Sequence, residues 1–181
     1  KDSLQGILCK PENFDPSQKY PMLVYFYEKR SDNLNRYNIP SPIATVINWS
    51  YCVSNGYLVF IPDVVFRKGE PGASSYDAVV SGVKSLIDRY DFIDKDRIAL
   101  NGHSWGGYQI AFLVTRTNMF KAAVSGAPVV NMTSAYGGIR WESGKSRMFQ
   151  YEQTQSRIGG TLWDKPAEFI RNSPLFFLPQ V

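Results

Sequence analysis

The sequence predicts an α/β protein built around a mostly parallel sheet, and three observations agree on this. Short apolar runs alternate along the chain with segments of helical periodicity. The runs at residues 20–27 and 57–63 are almost continuously apolar, which is typical of strands covered on both faces. A glycine-rich turn around Ser104 lies between an apolar run and a predicted helix. Strands that alternate with helices imply βαβ units, and therefore a parallel sheet.

The remaining strands and the loops are predicted from shorter patterns. Residues 4–9 alternate loosely and predict a strand, the run at 97–100 predicts the strand before the turn, and residues 121–128 predict a further strand. Residues 28–42 and 64–74 are rich in polar residues, glycine and proline, so we predict loops there.

The helices are predicted from apolar spacing and from start and stop signals. Residues 76–90 carry apolar residues three and four apart and give the clearest amphipathic helix. Residues 43–54 and 109–114 predict two more helices. Beyond residue 130 the pattern becomes mixed, but Asp164 followed by Pro166 predicts a helix that Asp164 caps.

Composition narrows the class of protein. The 181 residues, 44% of them hydrophobic, fit one globular domain, and no apolar run of about 20 residues predicts a membrane span. The net charge of +4 comes from scattered basic residues and indicates a solvated surface, not a nucleic-acid site. Cys9 and Cys52 favour two buried thiols over one disulfide. We expect no metal and no cofactor, and the compartment stays open between cytoplasm and periplasm.

The turn at Ser104 predicts a nucleophile elbow. Gly102, Ser104 and Gly106 form the pattern Gly-x-Ser-x-Gly between strand and helix, and Gly107 follows. The turn is so sharp that bulky side chains two residues before and after the serine would clash. It places the serine hydroxyl above the carboxyl edge of the sheet, at a helix N-terminus whose free N–H groups suit an oxyanion. Ser104 is therefore the candidate nucleophile.

The candidate nucleophile lacks a base within the chain. A serine hydroxyl needs one, commonly a histidine oriented by a carboxylate. The only histidine is His103, whose side chain should point to the opposite face of the extended segment, so we interpret it as a buttress of the elbow. With this motif the acid and the histidine follow the serine. We therefore expect that the chain, which starts at Lys1 and not at Met, is cut from a longer protein and is inactive alone.

Two donors are predicted for an oxyanion hole. One is the main-chain N–H of Trp105, the residue after the nucleophile. The other should come from the loop after the strand at residues 20–27. Its candidates are the main-chain N–H groups of residues 28–30 and the hydroxyl of Tyr27, and the residues alone favour Tyr27 as an ordinary strand aromatic.

Residues 102–108 resemble the nucleophile motif of the prolyl oligopeptidase family of serine peptidases, which includes dipeptidyl-peptidases and acylaminoacyl-peptidases. The additional Gly107 and Tyr108 are typical of that family. Further matches extend over nearly the whole chain, at residues 19–27, 77–79, 96–99, 127–129 and 172–175. The resemblance implies an α/β-hydrolase fold, with residues 1–181 as the nucleophile-bearing part of a catalytic domain truncated at its C-terminus.

The resemblance also implies roles for single residues. Ser104 would form the acyl-enzyme, and the Tyr27 hydroxyl would join the Trp105 N–H as oxyanion donor, although residues 28–30 replace the small glycine-rich segment that often follows that strand. Residues carried over by position to the primary specificity pocket are Trp105, Val129, Met132, Tyr136 and Ile139. The resemblance further implies a peptide substrate, an acid and a histidine beyond Val181, and a β-propeller ahead of the catalytic domain.

The main prediction is a serine-type peptidase that hydrolyses peptides through an acyl-enzyme on Ser104. Two alternatives stay open. An esterase or another acyl hydrolase would use the same elbow and oxyanion hole, because both suit any acyl transfer. A non-catalytic binding module would keep the scaffold without the histidine.

Overall fold

A five-stranded sheet lies at the centre of the computed structural model, which describes residues 3–37, 39–40 and 45–181. Its strands are β1 (Gly6–Cys9), β2 (Tyr20–Tyr25), β3 (Leu58–Pro62), β4 (Ile93–His103) and β5 (Ala122–Gly126). They are arranged in the order β1-β3-β2-β4-β5, with β1 antiparallel to β3 and the other neighbours parallel. The prediction of a mostly parallel α/β sheet is confirmed.

Helices and short segments connect the strands. The α-helices are α1 (Trp49–Ser54), α2 (Pro71–Arg89), α3 (Trp105–Val114), α4 (Met132–Ala135) and α5 (Pro166–Arg171). The shorter elements are a π-helix (Gln150–Thr154), two 3-10 helices (Ser31–Asn33 and Pro174–Gln180) and a hairpin of β6 (Ile139–Arg140) and β7 (Lys145–Ser146). Within the described ranges, no helix is long and apolar enough to cross a bilayer.

The sheet separates two hydrophobic cores. One face packs against α2 and α3, with Phe60, Val83 and Leu113 in a shared cluster. The other face packs against α1 and includes Val59 and Ile61. Successive residues of β3 therefore point into different cores, and all of them are buried. This explains why the run at residues 57–63 is apolar without alternation.

Helix α2 begins at Pro71, inside the segment that we predicted to be a loop over residues 64–74. Proline suits the first helical position because its φ is already helical and its missing N–H is not needed there. Gly72 allows a close approach to α3, since a Cβ at this position would overlap the ring of Phe112. A contact distant in sequence therefore extends the helix beyond its predicted start at residue 76.

Helix α1 is shorter than predicted. We expected a helix over residues 43–54, but it begins at Trp49, because the Asn48 side chain accepts the Tyr51 N–H at 3.0 Å and caps the helix there. Residues 43–44 of the prediction lie outside the described residues.

The predicted capping role of Asp164 is wrong. Helix α5 begins at Pro166, and its N-cap position, Lys165, makes no side-chain capping hydrogen bond. The Asp164 carboxylate instead accepts the Thr161 hydroxyl at 2.6 Å. The local turn therefore outcompetes the helix end for this carboxylate.

Cys9 and Cys52 are free thiols, as predicted, although each is half-buried and not fully buried. Both pack against the core that β1 and β3 share with α1. Burial raises the pKa of both thiols above the ordinary value for cysteine, so it disfavours the reactive thiolate.

Candidate active site

Ser104 occupies a strained turn between β4 and α3. Its backbone has φ 56° and ψ −113°, a conformation that a residue with a Cβ adopts only under constraint. Two main-chain hydrogen bonds impose it: the Ser104 N–H donates to the Gly126 carbonyl at 2.8 Å, and the Tyr108 N–H donates to the Ser104 carbonyl at 2.9 Å. The predicted strand–turn–helix geometry is therefore present around the serine.

Glycines allow three backbone segments to meet at this turn. A Cβ on Gly102 would lie 2.8 Å from the carbonyl carbon of Gly106, and a Cβ on Gly106 would lie 2.6 Å from the carbonyl oxygen of Phe26. A Cβ on Gly107 would overlap the carbonyl oxygen of Gly126. The first turn of α3 is thus pressed against the end of β2 on one side and the end of β5 on the other.

Tyr27 lies beside the elbow, two residues beyond the end of β2. Its Cδ2 atom would be 3.7 Å from a Cβ on Gly106, so the ring is in contact range of the first turn of α3. The buried side chain of Gln109 donates to the Tyr27 carbonyl at 2.6 Å, and Gln155 donates to the Tyr27 hydroxyl oxygen at 3.0 Å. The candidate oxyanion donor is therefore held from both ends.

Residues 27–31 lie just beyond the end of β2, and we call them the β2 loop. Asp63, directly after β3, binds this loop through its carboxylate. It accepts the N–H of Arg30 at 2.7 Å, the N–H of Ser31 at 2.8 Å and the Ser31 hydroxyl at 2.6 Å. On the other side, the Arg157 guanidinium pairs with the Glu28 carboxylate at 3.3 Å. Because Asp63 already uses the Arg30 N–H, this group is not free for an oxyanion.

The environment of Asp63 favours its charged form. Asp63 is only 3% exposed, and burial by itself raises the pKa of its carboxyl. The hydrogen bonds from the Ser31 hydroxyl and the two main-chain N–H groups, with the nearby Lys29 charge, outweigh that effect, so the pKa lies below its ordinary value. The β2 loop is thus anchored by a carboxylate that stays ionised at neutral pH.

Four of the five predicted pocket residues meet in one aromatic cluster. Trp105, Met132 and Tyr136 are almost fully buried there, and Val129 packs against them. The Trp105 ring stacks on Tyr108 with centroids 4.4 Å apart. The fifth predicted residue, Ile139, is 60% exposed on the β6–β7 hairpin and is not brought into the cluster.

The polar edge of this cluster carries a carboxylate. The Tyr136 hydroxyl donates to Glu152 at 2.5 Å. Desolvation, followed by this hydrogen bond, raises the pKa of the Tyr136 hydroxyl, so Tyr136 stays neutral and keeps donating. The start of α4 is held by Ser173, which lies 41 residues later in the sequence. Its hydroxyl accepts the Met132 N–H at 2.9 Å.

His103 ends β4, where it pairs with Gly126 of β5. A Cβ built on Gly126 would lie 3.1 Å from the imidazole Nδ1 atom, so the ring lies against the backbone that holds Ser104. Within the described ranges, no group of three or more His, Cys, Asp or Glu side chains is placed to hold a metal ion.

Sequence reasoning missed the residues that hold the β2 loop, namely Asp63, Gln109, Gln155 and Arg157. Two of them carry a local signal. Asp63 is the acid that ends a buried apolar strand, and Gln109 is the polar residue inside the apolar segment of α3. Gln155 and Arg157 carry none, because their partners lie 128 and 129 residues away.

The fold and the turn together define a class of protein. In a mostly parallel sheet, strand β4 leads through a strained Gly-x-Ser-x-Gly turn into α3, and this is the strand–turn–helix geometry of the nucleophile elbow in α/β-hydrolases. Comparison with known proteins narrows this class: the chain belongs to the prolyl oligopeptidase family, whose model matches residues 45–178.

Individual relatives agree with this assignment. The chain is 33% identical to human dipeptidyl peptidase 8 over 141 residues, which covers 70% of this chain and 15% of that protein. It is 26% identical to dipeptidyl-peptidase 5 of Aspergillus oryzae over 185 residues, covering 94% of this chain and 23% of that protein. The crystal structure of Porphyromonas gingivalis dipeptidyl peptidase 4 superposes with a TM-score of 0.68 at 24% identity, covering 98% of this chain and 24% of that one. The chain thus spans less than a quarter of the length of these two curated relatives.

Proposed function

We propose that this chain is the nucleophile-bearing part of a serine-type peptidase that cleaves peptides through an acyl-enzyme on Ser104. The observation that carries the proposal is the strained serine at φ 56°, at the start of α3, in a chain of the prolyl oligopeptidase family. Strain of this kind persists where the surrounding structure enforces it, and such residues concentrate at active sites. The names of the relatives, dipeptidyl peptidases, favour short peptides as substrates.

In the proposed reaction, the Ser104 oxygen attacks the carbonyl carbon of the scissile peptide bond while its proton passes to a base. The carbonyl oxygen becomes an oxyanion that accepts hydrogen bonds from the Trp105 N–H and the Tyr27 hydroxyl. Collapse of this intermediate breaks the C–N bond: the amine leaves with the proton that the base returns to it, and an ester stays on Ser104. Water then hydrolyses this ester to the carboxylic acid and free Ser104. The one histidine of residues 1–181 is His103, which lies against the backbone of Gly126, so the proposal takes its base, together with the acid that orients it, from outside residues 1–181.

The substrate side chain next to the scissile bond is proposed to enter beside Trp105. Val129 is half-buried at the edge of the aromatic cluster, and Met132 and Tyr136 are buried members of the same cluster. Ile139 would contribute only from the exposed hairpin. An apolar pocket of this composition suits an apolar substrate side chain. A β-propeller ahead of residue 1 would keep longer polypeptides out, so that only short peptides reach the site.

A fluorophosphonate probe tests the nucleophile directly. We expect mass spectrometry of the full-length protein to find the probe on Ser104, with labelling lost in Ser104→Ala and kept in the matched control Ser85→Ala, an exposed serine of α2. Turnover of peptide amides and of simple esters is then measured in parallel. Activity on esters alone would replace the peptidase by an acyl hydrolase, and absence of both labelling and turnover would leave a non-catalytic binding module.

A further inference from the structure

We propose that Gln155 is a positioning residue that aims the Tyr27 hydroxyl at the oxyanion, and that Gln150 and two arginines fix the direction of its amide. The inference rests on the proposed function, because it takes Tyr27 as an oxyanion donor. It adds four residues to the machinery, none of which belongs to the Gly-x-Ser-x-Gly motif or to the aromatic cluster.

A continuous chain of hydrogen bonds runs from the arginines to Tyr27. The Gln155 Nε2 donates to the Tyr27 Oη at 3.0 Å. The Gln150 Nε2 donates to the Gln155 Oε1 at 2.6 Å. Arg140 Nη2 and Arg147 Nε donate to the Gln150 Oε1 at 3.2 and 3.3 Å. Each amide therefore receives a hydrogen bond on its oxygen and gives one from its nitrogen.

The arginines determine which way every bond in this chain points. A guanidinium can only donate, so the Gln150 oxygen must face Arg140 and Arg147 and its nitrogen must face Gln155. The same argument then turns the Gln155 oxygen to Gln150 and its nitrogen to Tyr27. With the opposite orientation, the Gln155 oxygen would accept a hydrogen bond from the Tyr27 hydroxyl. That hydroxyl could then not donate to the oxyanion.

Tyr27 is left with its proton free for the substrate. A phenol has one O–H donor, and its oxygen already accepts the hydrogen bond from Gln155. Within the part of the chain that the structure describes, the Tyr27 O–H makes no hydrogen bond as a donor. Its proton is therefore available to an acceptor supplied at the elbow, since the Tyr27 ring lies in contact range of the first turn of α3.

The π-helix explains how the two amides meet. Residues five apart in an α-helix lie about 140° apart around the axis, so their side chains diverge. In this segment the Gln155 N–H bonds to the Gln150 carbonyl at 3.1 Å, which is the i to i+5 pattern of a π-helix. The wider turn brings positions 150 and 155 to the same side. Such single-turn π segments occur frequently at functional sites.

The aligned bonds also strengthen Tyr27 as a donor. Hydrogen bonds in a chain polarise one another, and a phenol oxygen that accepts a bond gives up its own proton more readily to the next acceptor. Gln150 is only 8% exposed, so the polarisation is not lost to water at that point.

The test is Gln155→Glu in the full-length protein, because this substitution keeps the shape and exchanges the donor for an acceptor. The new carboxylate would accept a hydrogen bond from the Tyr27 hydroxyl and turn it away from the oxyanion. We therefore expect kcat for a peptide amide to fall about 10²-fold, as for removal of one oxyanion donor, with KM little changed. The matched control is Gln153→Glu, the same substitution at an exposed position of the same π-helix, which should keep kcat within about twofold.

A double-mutant cycle separates positioning from general damage. Introduced into Tyr27→Phe, the Gln155→Glu change should have no further effect on kcat, because the hydroxyl that it redirects is gone. A further loss in that background, or an unchanged kcat in Gln155→Glu beside a lowered one in Tyr27→Phe, would overturn the positioning role and leave the proposed function standing. An unchanged kcat in Tyr27→Phe would overturn both this inference and the oxyanion role of Tyr27.

Circular dichroism shows whether Gln155→Glu folds, and if it does not, a second variant tests the same proposal. Gln155→Leu removes the donor without adding an acceptor, so Tyr27 keeps its proton but loses its alignment. We expect a smaller fall in kcat, about fivefold to tenfold, again with KM retained and again absent in the Tyr27→Phe background. A wild-type kcat in this variant would exclude Gln155 as a positioning residue.

Discussion

The side-chain amide of Gln109 donates a 2.6 Å hydrogen bond to the main-chain carbonyl of Tyr27, across 82 residues of sequence. Gln109 belongs to the first turns of α3, five residues after the candidate nucleophile Ser104, and it is completely buried. The bond therefore links the helix that follows the candidate nucleophile to the residue that we propose as oxyanion donor. Both groups of the proposed site depend on one buried amide for their relative position.

Replacing this amide, Gln109→Leu, should affect turnover more than stability. The change leaves the Tyr27 carbonyl without its donor, at a cost of about 1–3 kcal/mol. It also removes the buried Gln109 Oε1, which has no hydrogen-bond partner among the described residues, and this offsets much of the cost. We expect the unfolding free energy to change by less than about 1 kcal/mol, while kcat falls about tenfold because Tyr27 is misplaced.

Chemical denaturation and steady-state kinetics of full-length Gln109→Leu check this prediction together. Gln153→Leu, at an exposed glutamine of the π-helix, is the control and should change neither quantity. A wild-type kcat in Gln109→Leu would show that the link between α3 and Tyr27 does not matter for the reaction.

Substitutions of Ser104 should separate strain from catalysis. Ser104→Ala and Ser104→Gly both remove the hydroxyl, so both should abolish turnover. Glycine adopts φ 56° without strain, whereas alanine does not. The free energy of unfolding of Ser104→Gly should therefore exceed that of Ser104→Ala by about 1 kcal/mol or more. Denaturation curves of the two variants measure the difference, and a greater stability of the alanine variant would contradict the strain at this position.

Much of the elbow could be predicted from the sequence, because its requirements are local. Gly102 avoids a clash with the Gly106 carbonyl that the turn itself brings near, and the spacing of two residues around Ser104 expresses this directly. Gly106 and Gly107 instead make room for the backbone of Phe26 and Gly126, so the local pattern marks these glycines without showing what they face. The strands β2 and β3 were predictable for a similar reason, since burial on both faces makes every residue of the run apolar. The apolar pattern does not define where a strand ends, and β2 stops at Tyr25 and not at residue 27.

The support of the site could not be predicted, because it depends on pairs far apart in sequence. Asp63 binds Arg30 and Ser31 over 32 or 33 residues, and Gln155 reaches Tyr27 over 128. A short pattern contains no information about such pairs until the sheet order is known. Local rules can also mislead, as at Asp164, where a capping position predicted from a nearby proline is instead part of a turn with Thr161.

The anchoring of the β2 loop by Asp63 should depend on pH in a defined direction. The pKa of Asp63 is lowered in the folded state, so its contribution to stability is present above the ordinary carboxyl pKa and is lost as pH falls through the lowered value. Asp63→Asn should therefore cost about 1.5–3 kcal/mol of unfolding free energy at neutral pH, because a charged acceptor is lost. The difference from wild type should shrink as pH falls below about 4, the ordinary range for aspartate.

Denaturation of full-length wild type and Asp63→Asn over a pH series measures this difference. The control is Asp88→Asn, at an exposed carboxylate of α2, which should differ from wild type by less than about 0.5 kcal/mol at every pH. A difference for Asp63→Asn that stays constant from neutral to acid pH would mean that the charge of Asp63 does not anchor the loop.

The packing of the elbow against β5 should make Gly107 intolerant of any side chain. A Cβ there would overlap the Gly126 carbonyl oxygen, the same atom that accepts the Ser104 N–H, so relief of the clash must move Ser104 or the strand. Gly107→Ala should lower the unfolding free energy by about 1–3 kcal/mol or more and abolish fluorophosphonate labelling of Ser104. Gly137→Ala is the matched control, since a Cβ at Gly137 has no atom within 4 Å among the described residues. Wild-type stability and labelling in Gly107→Ala would show that α3 and β5 are not in close contact, and would remove the packing argument for the geometry of Ser104.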